Sequence, residues 1–433
     1  MNRWIPVLLV TLTVSLAIAE DAPRPLSLPE AIRLALKNNP DLATAQQHVN
    51  AARTGIQQTE AALWPQIRLA GSYTASDNPV QAFMMTLNQR AFSFAGNNFN
   101  HPTTTDNLNG KVLAHWSLYD GGETIATRQA AKFNTEAARQ TFAAARNDLV
   151  FEVTRAFYTI GKTRQFVAVA TAAVTSMEAN VNVASTRFAA GHVLKTDFLD
   201  AQVRLAESQE NLIRARNAFA LSEIVFRSVL GVGESELVTA TEHDITTNTP
   251  VPTSTSRPEL AAARQMVIAA DRQVRAAQAG YAPHLTAFAS YDLDSGNGTR
   301  YAESWLAGVS VELNLFDGFL TRGKISEARA NLESARQQER KVSLALSFET
   351  RQAQLNLEES QARCDTTSKS VAQAEESLQI TKDRYTNGLA LLTQVLDAET
   401  ALTAARQRRA AAEADARIAH AALDHALGTT WKE

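Results

Sequence analysis

Trp116-Ser117-Leu118-Tyr119-Asp120-Gly121 decides the fold, because this stretch recurs later in the chain as Leu313-Asn314-Leu315-Phe316-Asp317-Gly318. Before each copy, apolar residues alternate with polar ones, the period of two that predicts a β-strand. After each copy comes a long segment rich in Ala, Gln, Glu and Arg, which are good helix formers. Both stretches are therefore expected to mark the point where a strand turns into a long helix.

The two junctions share one set of residues. Asp120-Gly121 and Asp317-Gly318 each supply a glycine, which permits a sharp bend of the backbone. Glu123, three residues after Asp120, completes a pattern that resembles a helix capping box. We expect the aspartates to begin the helices and the glycines to turn the chain.

Further matches extend the repetition over most of the chain. Gly191 and Gly388 are separated by the same number of residues as the two junction aspartates, and so are Asp200 and Asp397. A single insertion, before the first junction, distinguishes the two copies. Internal repetition predicts two structural repeats. Their expected bounds are 20–231 and 257–433, joined by a linker at 232–256.

The first residues, 1–19, have the features of a secretory signal peptide. Arg3 precedes an apolar run, and Ala17-Ile18-Ala19 is a small-residue cleavage site; a membrane anchor is the alternative. Beyond this segment we find no run of about 18 apolar residues, so we expect no membrane-spanning helix. The net charge of −3 gives no indication of nucleic-acid binding.

The long segments predict unusually long helices. Lys324 to Asn387 contains neither Gly nor Pro, and a helix of that length would be roughly 96 Å long. A coiled-coil spacing runs along it, with Glu339 as its polar interruption, through Ala328, Leu332, Ala335, Val342 and Leu346. We expect a short and a medium helix to lie end to end beside each long one, with turns at 189–192 and 386–389.

The alternating segments predict four strands, at about 66–76, 107–119, 284–294 and 303–316. Their length and their flanking aromatic residues are typical of an outer-membrane β-barrel, although a soluble sandwich would show the same alternation. Four strands cannot close a barrel, and open sheet edges cannot lie in lipid. Membrane strands would therefore require two or three copies of the chain. The segment at 75–106 is expected to be a long polar loop.

Taken together, these segments resemble the TolC-like outer-membrane efflux family. The resemblance rests on the opening segment 28–42, on the two strand-to-helix junctions, and on the turns at 187–191 and 384–388. It implies a mainly α protein with membrane β-structure: a homotrimer whose twelve strands form one outer-membrane barrel, continued by a periplasmic α-helical barrel. It also implies a passive duct, which docks with a periplasmic adaptor and an inner-membrane transporter for efflux or type I secretion.

The resemblance also implies a gate at the periplasmic helix tips. Asp397 matches an acidic gate position, and Gln394 stands where relatives carry a second acid. Asp197 and Tyr385 match positions that tie neighbouring helices together, whereas Ala390 replaces the family's basic partner. The expected adaptor contacts are Gly191, His192, Gly388 and Leu389.

No catalytic constellation, cofactor motif or metal-ligand spacing stands out in the sequence. His420 and His425 have no acidic or cysteine partner at a metal-ligand spacing along the chain. We therefore expect no enzyme. A periplasmic coiled-coil adaptor or scaffold is the alternative function, because adaptors also contain helical hairpins.

Overall fold

The computed structural model describes residues 24–93, 95, 100–233, 238–241, 257–296 and 300–428. The signal peptide predicted at 1–19 and most of the linker predicted at 232–256 lie outside these residues. The helices are α1 (Leu28–Asn38), α2 (Pro40–Glu60), α3 (Pro79–Asn88), α4 (Glu123–Ala189), α5 (Lys195–Leu230), α6 (Pro258–Gln278), α7 (Leu320–Thr386) and α8 (Leu392–Ala426). The strands are β1 (Arg24–Leu26), β2 (Gln66–Ser76), β3 (Thr105–Asp120), β4 (Val238–Ala240), β5 (His284–Ser295) and β6 (Ala302–Glu312).

The predicted long helices are confirmed, and α4 and α7 contain 67 residues each. Along α7 the predicted coiled-coil positions from Ala328 to Leu346 are half-buried, whereas the residues between them are exposed. Glu339 also lies on this half-buried seam, where its Oε1 accepts a hydrogen bond from Arg264 Nε at 3.4 Å. The seam therefore includes the polar interruption seen in the sequence.

The chain divides into two compact units. The first comprises the described residues within 1–39, 149–250 and 355–422. Its core includes Phe157 and Phe226, whose ring centroids lie 6.3 Å apart. β1 pairs in parallel with β4, so the linker region contains a short strand that we did not predict.

The second unit, within 40–148, 251–354 and 423–433, contains a four-stranded antiparallel sheet in the order β2-β3-β5-β6. Trp305 on β6 pairs with Tyr291 on β5, and Leu69 on β2 pairs with Val112 on β3. Large apolar side chains cover one face and are exposed, Leu69 by 83% and Trp305 by 77%. β2 and β6 are the two edges of this sheet.

Three details correct the sequence predictions. β6 ends at Glu312, not at Phe316, so the residues before the second junction are not part of the strand. The segment at 75–106 is not only a loop, because it contains α3. α4 contains a stretch that is long and apolar enough to cross a membrane by length and composition, so our exclusion of such a helix was too strong. Because α4 is far longer than the roughly 20 residues that a span requires, this is weak evidence for a transmembrane helix.

Candidate functional site

The strand-to-helix junctions are closed by their aspartates. Asp120 accepts hydrogen bonds from the backbone nitrogens of Gly122 and Thr124, each at 3.0 Å, and from the Thr124 hydroxyl. Asp317 accepts one from the backbone nitrogen of Thr321 at 2.8 Å. Each junction aspartate therefore bonds to a threonine four residues later in the chain. The capping box predicted between Asp120 and Glu123 is wrong.

The glycines of the junctions adopt the positive φ expected of them. Gly121 has φ +70 and Gly318 has φ +64. A Cβ on Gly121 would lie 2.4 Å from Ala282 Cβ and 2.8 Å from the Ala279 carbonyl oxygen, whereas one on Gly318 would meet nothing within 4 Å. Gly121 is thus required both by its backbone conformation and by a close neighbour.

The two helix tips end in the same hydrogen-bonded turn. The His192 nitrogen donates to the Arg187 carbonyl at 2.8 Å, and the Leu389 nitrogen donates to the Arg384 carbonyl at 2.8 Å. Gly191 and Gly388 occupy the left-handed position, with φ of +76 and +74. This arrangement is a Schellman motif, which satisfies the last carbonyls of each helix. Leu389 is 69% exposed.

Apolar packing dominates the tip region. Tyr385 is buried in a cluster that includes Leu392 and Leu396, with Ala390 packed against it. Arg187 lies over the Tyr385 ring, its Cζ 4.3 Å from the ring centroid. The Tyr385 hydroxyl is buried and has no hydrogen-bond partner among the described residues. Ala390 contributes packing at this point of the tip.

Asp197 and Gln394 both cap their own helices. Asp197 Oδ2 accepts a hydrogen bond from the Leu194 nitrogen at 3.3 Å, and Gln394 Oε1 accepts one from the Leu391 nitrogen at 3.2 Å. Each side chain thus accepts a hydrogen bond from the backbone nitrogen three residues before it, at the starts of α5 and α8. Among the described residues, no hydrogen bond joins Asp197 to the Tyr385 hydroxyl.

Asp397 has a basic partner that sequence reasoning missed. Arg204 Nη2 on α5 lies 3.0 Å from Asp397 Oδ1 on α8. The Asp397 side chain is 68% exposed and that of Arg204 is 39% exposed. Because the two residues are far apart in the sequence, no local spacing could have indicated this pair.

Glu399, an acid that sequence reasoning missed, lies two residues after Asp397 on α8. Glu399 is only 4% exposed, and its carboxylate accepts from Ser176 Oγ at 2.7 Å, Asn180 Nδ2 at 2.8 Å and Lys382 Nζ at 2.7 Å. It therefore joins α4, α7 and α8. The sequence did contain a signal for the burial of Glu399, because this residue continues the 3-4 spacing of the buried residues Leu392 and Val395.

His425 has acidic partners in space, although none lies at a metal-ligand spacing along the chain. Its Nε2 lies 2.7 Å from Asp148 Oδ1, and its Nδ1 lies 3.2 Å from Glu349 Oε1. The hydrogen bond with Asp148 raises the pKa of His425 above its ordinary value, while burial opposes the shift. The carboxylates of Asp148 and Glu259 and the imidazole are close enough to hold a metal ion. Arg257 also pairs with Glu259 and Glu349, so these residues form an ion-pair network.

A sheet with an exposed apolar face, joined to helices of 67 residues, defines a class of membrane protein with a large soluble part. The sequence pattern of the family described as "Outer membrane efflux protein" matches residues 31–232 and 253–429. The chain belongs to the outer membrane efflux protein family.

Individual relatives agree with this assignment. The chain is 23% identical to outer membrane protein TolC of Escherichia coli, over 99% of this chain and 87% of that protein. It is 26% identical to protein CyaE of Bordetella pertussis, over 93% of this chain and 84% of that protein. The crystal structure of the Campylobacter jejuni CmeC outer membrane channel is similar in fold, with a TM-score of 0.82 and 16% identity, covering 99% of this chain and 94% of that one.

The protein is an outer-membrane channel component of an efflux or secretion system, and it extends into the periplasm. Family membership therefore favours the duct over the adaptor or scaffold considered from the sequence.

Proposed function

We propose that three copies of the chain form one twelve-stranded barrel in the outer membrane. The observation that carries this proposal is the four-stranded sheet, whose apolar face is exposed and whose edges, β2 and β6, each pair on one side only. In lipid, an unpaired edge leaves backbone groups without hydrogen bonds, at a cost of several kcal/mol per group. Pairing β2 of one copy with β6 of the next removes every edge.

The helices continue this barrel as a periplasmic α-helical tube, in which each copy contributes two duplicated halves. The equal lengths of α4 and α7, 67 residues each, support the duplication, as do α2 and α6 with 21 residues each. Both long helices also end in the same Schellman turn. The duct conducts its cargo passively and performs no catalysis.

The helix tips serve as the docking surface for a periplasmic adaptor, which couples the duct to an inner-membrane transporter. Exposed leucines surround the two turns: Leu194 is 70% exposed, Leu389 69% and Leu391 68%. Apolar side chains exposed at a turn suit burial against a partner. His192 and the glycines of the turns lie beside them, and the gate residues Asp397, Asp197, Tyr385 and Gln394 follow directly.

The trimer is tested by measuring the molar mass of the detergent-solubilised protein by light scattering. Three chains per particle are expected, together with ion conductance after insertion into planar bilayers. A water-soluble monomer that needs no detergent would overturn the proposal.

Adaptor docking is tested separately by cysteine crosslinking in cells, in a Cys364→Ala background. Leu389→Cys is expected to crosslink to an adaptor protein, whereas Ser343→Cys, an exposed position in α7 away from the tip, is expected not to. If Leu389→Cys gives no crosslink while the trimer forms, the docking surface lies elsewhere.

A further inference from the structure

A cleft of about 440 Å³ lies between α4 and α6. Its volume is within the range of small-molecule sites in proteins, about 300–1,000 Å³. The lining residues of α4 follow the i, i+3, i+4, i+7 spacing of a single helix face. The lining consists of Gln129, Lys132, Phe133 and Glu136 on α4, and of Gln265 and Arg272 on α6. All of these residues belong to one copy of the chain.

Arg272 brings an unsatisfied donor to this cleft. Its Cζ lies 6.0 Å from the centroid of the Phe133 ring on the other helix. Its Nε is buried and has no hydrogen-bond partner among the described residues. A buried donor without an acceptor is costly, and more so when the group is charged. The cleft therefore has a place for an acceptor beside Arg272.

The charge of the cleft is positive. Lys132 is exposed and forms no ion pair with the described residues. Glu136, the acid in the lining, already accepts from Arg139 Nη1 at 3.2 Å and from Gln140 Nε2 at 2.9 Å. Lys132 and Arg272 thus face one carboxylate whose charge is partly offset from outside the cleft. The surplus positive charge favours an anion.

The rest of the lining suits an apolar body. Phe133 is half-buried, so part of its ring remains open to a ligand. The stems of Lys132 and Arg272 are aliphatic, and such stems pack well against apolar groups. An aromatic ring that packs on Phe133 and carries a carboxylate or sulfonate matches both the charge and the shape of this surface.

The cleft lies away from the edges of the copy. The Thr135 hydroxyl on α4 donates to the Ala52 carbonyl on α2 at 3.0 Å, and Arg264 on α6 pairs with Glu339 on α7 at 3.4 Å. These helices therefore follow the order α2-α4-α6-α7, and the cleft is between the inner two. In the proposed tube, neighbouring copies meet at α2 and α7, so a second copy does not cover the cleft.

The position of the cleft along α4 favours a water-soluble ligand. Gln129 and Glu136 follow Glu123, the first residue of α4, by roughly 9 and 20 Å at 1.5 Å per residue. The polar interface of a bilayer adds only about 5–8 Å to each side of its apolar layer. In the proposed barrel the strands end near that interface, so the cleft lies beyond the lipid headgroups.

We propose that the α4–α6 cleft binds a water-soluble organic anion with an aromatic or other apolar body. Its carboxylate or sulfonate accepts a hydrogen bond from Arg272 Nε and pairs with Lys132, while its apolar body packs against Phe133. The site is formed within one copy, and only the exclusion of lipid rests on the proposed barrel. A bound anion bridges α4 and α6.

Photolabelling with 4-benzoylbenzoate tests the site in the full-length protein in a non-ionic detergent. The label is expected on the peptides that line the cleft, and an excess of 2-naphthoate should reduce it. Arg272→Gln should lower this labelling at least about tenfold, because a hydrogen bond from a charged donor is lost. Lys132→Gln, at an exposed position where folding is not affected, should lower it as well. Arg275→Gln, which removes an exposed arginine paired with Asp271, is the matched control and should label normally.

The charge requirement has its own test. Glu136→Gln should increase the labelling about threefold, because a like charge near the anion is removed. Neutral 4-methylbenzophenone, at the same concentration, should label the cleft only weakly. No label on the cleft peptides, equal labelling of Arg272→Gln and the unsubstituted protein, or equal labelling by the neutral probe would each overturn the proposal.

Two further measurements separate the source of the anion and the state of assembly. In nanodiscs, replacing phosphatidylcholine by the anionic phosphatidylglycerol should leave the labelling unchanged. A decrease would show that a lipid headgroup competes for the cleft and would overturn the water-soluble class. Light scattering gives the mass of the same sample: a monomer that labels at the cleft would refute the barrel and support the site, whereas a trimer without label would refute the site alone.

Discussion

At the scale of single residues, the charge at the tip depends on a pair rather than on one carboxylate. In the proposed trimer, Asp397 and its symmetry mates around the axis would repel one another and attract cations. Arg204, 3.0 Å away, offsets part of that charge within each copy. Exposed ion pairs contribute only about 0–1 kcal/mol, so the pair tunes the local potential more than it stabilises the fold.

This pairing predicts opposite effects of two substitutions on ion selectivity. Asp397→Ala should reduce the preference for cations, and Arg204→Ala should increase it, because the carboxylate is then unpaired. Reversal potentials in planar bilayers under a salt gradient measure both. Asp200→Ala, an exposed acid at the matching position of the first repeat, is the control. Identical reversal potentials in all variants would place Asp397 away from the conduction path.

His425 predicts a pH dependence of stability. Its raised pKa, due first to the hydrogen bond with Asp148, means that the protonated ring stabilises the folded state. The contribution is complete below the unfolded pKa of about 6.5 and is lost as the pH rises through the raised folded value. Charged groups that face it among the described residues include Asp148, Glu349, Arg257 and Glu259.

We therefore expect His425→Gln to lower the melting temperature at pH 5.5 and to have little effect at pH 8.5. The loss should be about 1 kcal/mol, modest for a charged hydrogen bond because the Asp148 side chain is 59% exposed. Thermal unfolding of the detergent-solubilised protein provides the measurement, with the exposed His48→Gln as control. A loss of equal size at both pH values would show that the imidazolium is not the stabilising form.

At the scale of elements, the two strand-to-helix junctions look alike in sequence, but they differ in whether the glycine can be replaced by a residue with a side chain. Gly121 and Gly318 share a positive φ, yet only at Gly121 would an added Cβ have a neighbour within 3 Å, the Ala282 Cβ at 2.4 Å. A left-handed conformation costs a non-glycine residue about 1 kcal/mol. The steric conflict adds to that cost at the first junction only.

Gly121→Ala should therefore lower the yield of assembled protein much more than Gly318→Ala. We expect a loss of about 1 kcal/mol at Gly318, and of at least about 2–3 kcal/mol at Gly121 because overpacking is added. The fraction of heat-modifiable oligomer on gels measures the difference. Equal losses would mean that the α6–β5 turn moves aside freely.

At the scale of the whole molecule, the alternation of the sheet has consequences only in an assembled membrane barrel. Val309 is exposed by 62% on the apolar face of β6, and Ser310, next to it, points to the opposite face. A lysine on the lipid face of a barrel costs about 2–4 kcal/mol near the bilayer centre, whereas the lumen tolerates charge.

Val309→Lys should thus reduce the amount of folded oligomer in outer-membrane fractions, and Ser310→Lys should not. Quantitative immunoblots of unheated samples distinguish the two variants. If Ser310→Lys proved the more damaging, the apolar face would have to point inward and the barrel proposal would be wrong.

The sequence by itself determined the long helices, the four membrane-type strands and the glycine turns, because these depend on local periodicity and backbone propensity. Glu399 could also have been predicted from the sequence, because it is a charged residue at a position of the apolar 3-4 spacing. Only the tertiary structure revealed the Arg204–Asp397 pair and the partners of His425. Those contacts join residues far apart along the chain, and their geometry exists only once the helices and strands have packed.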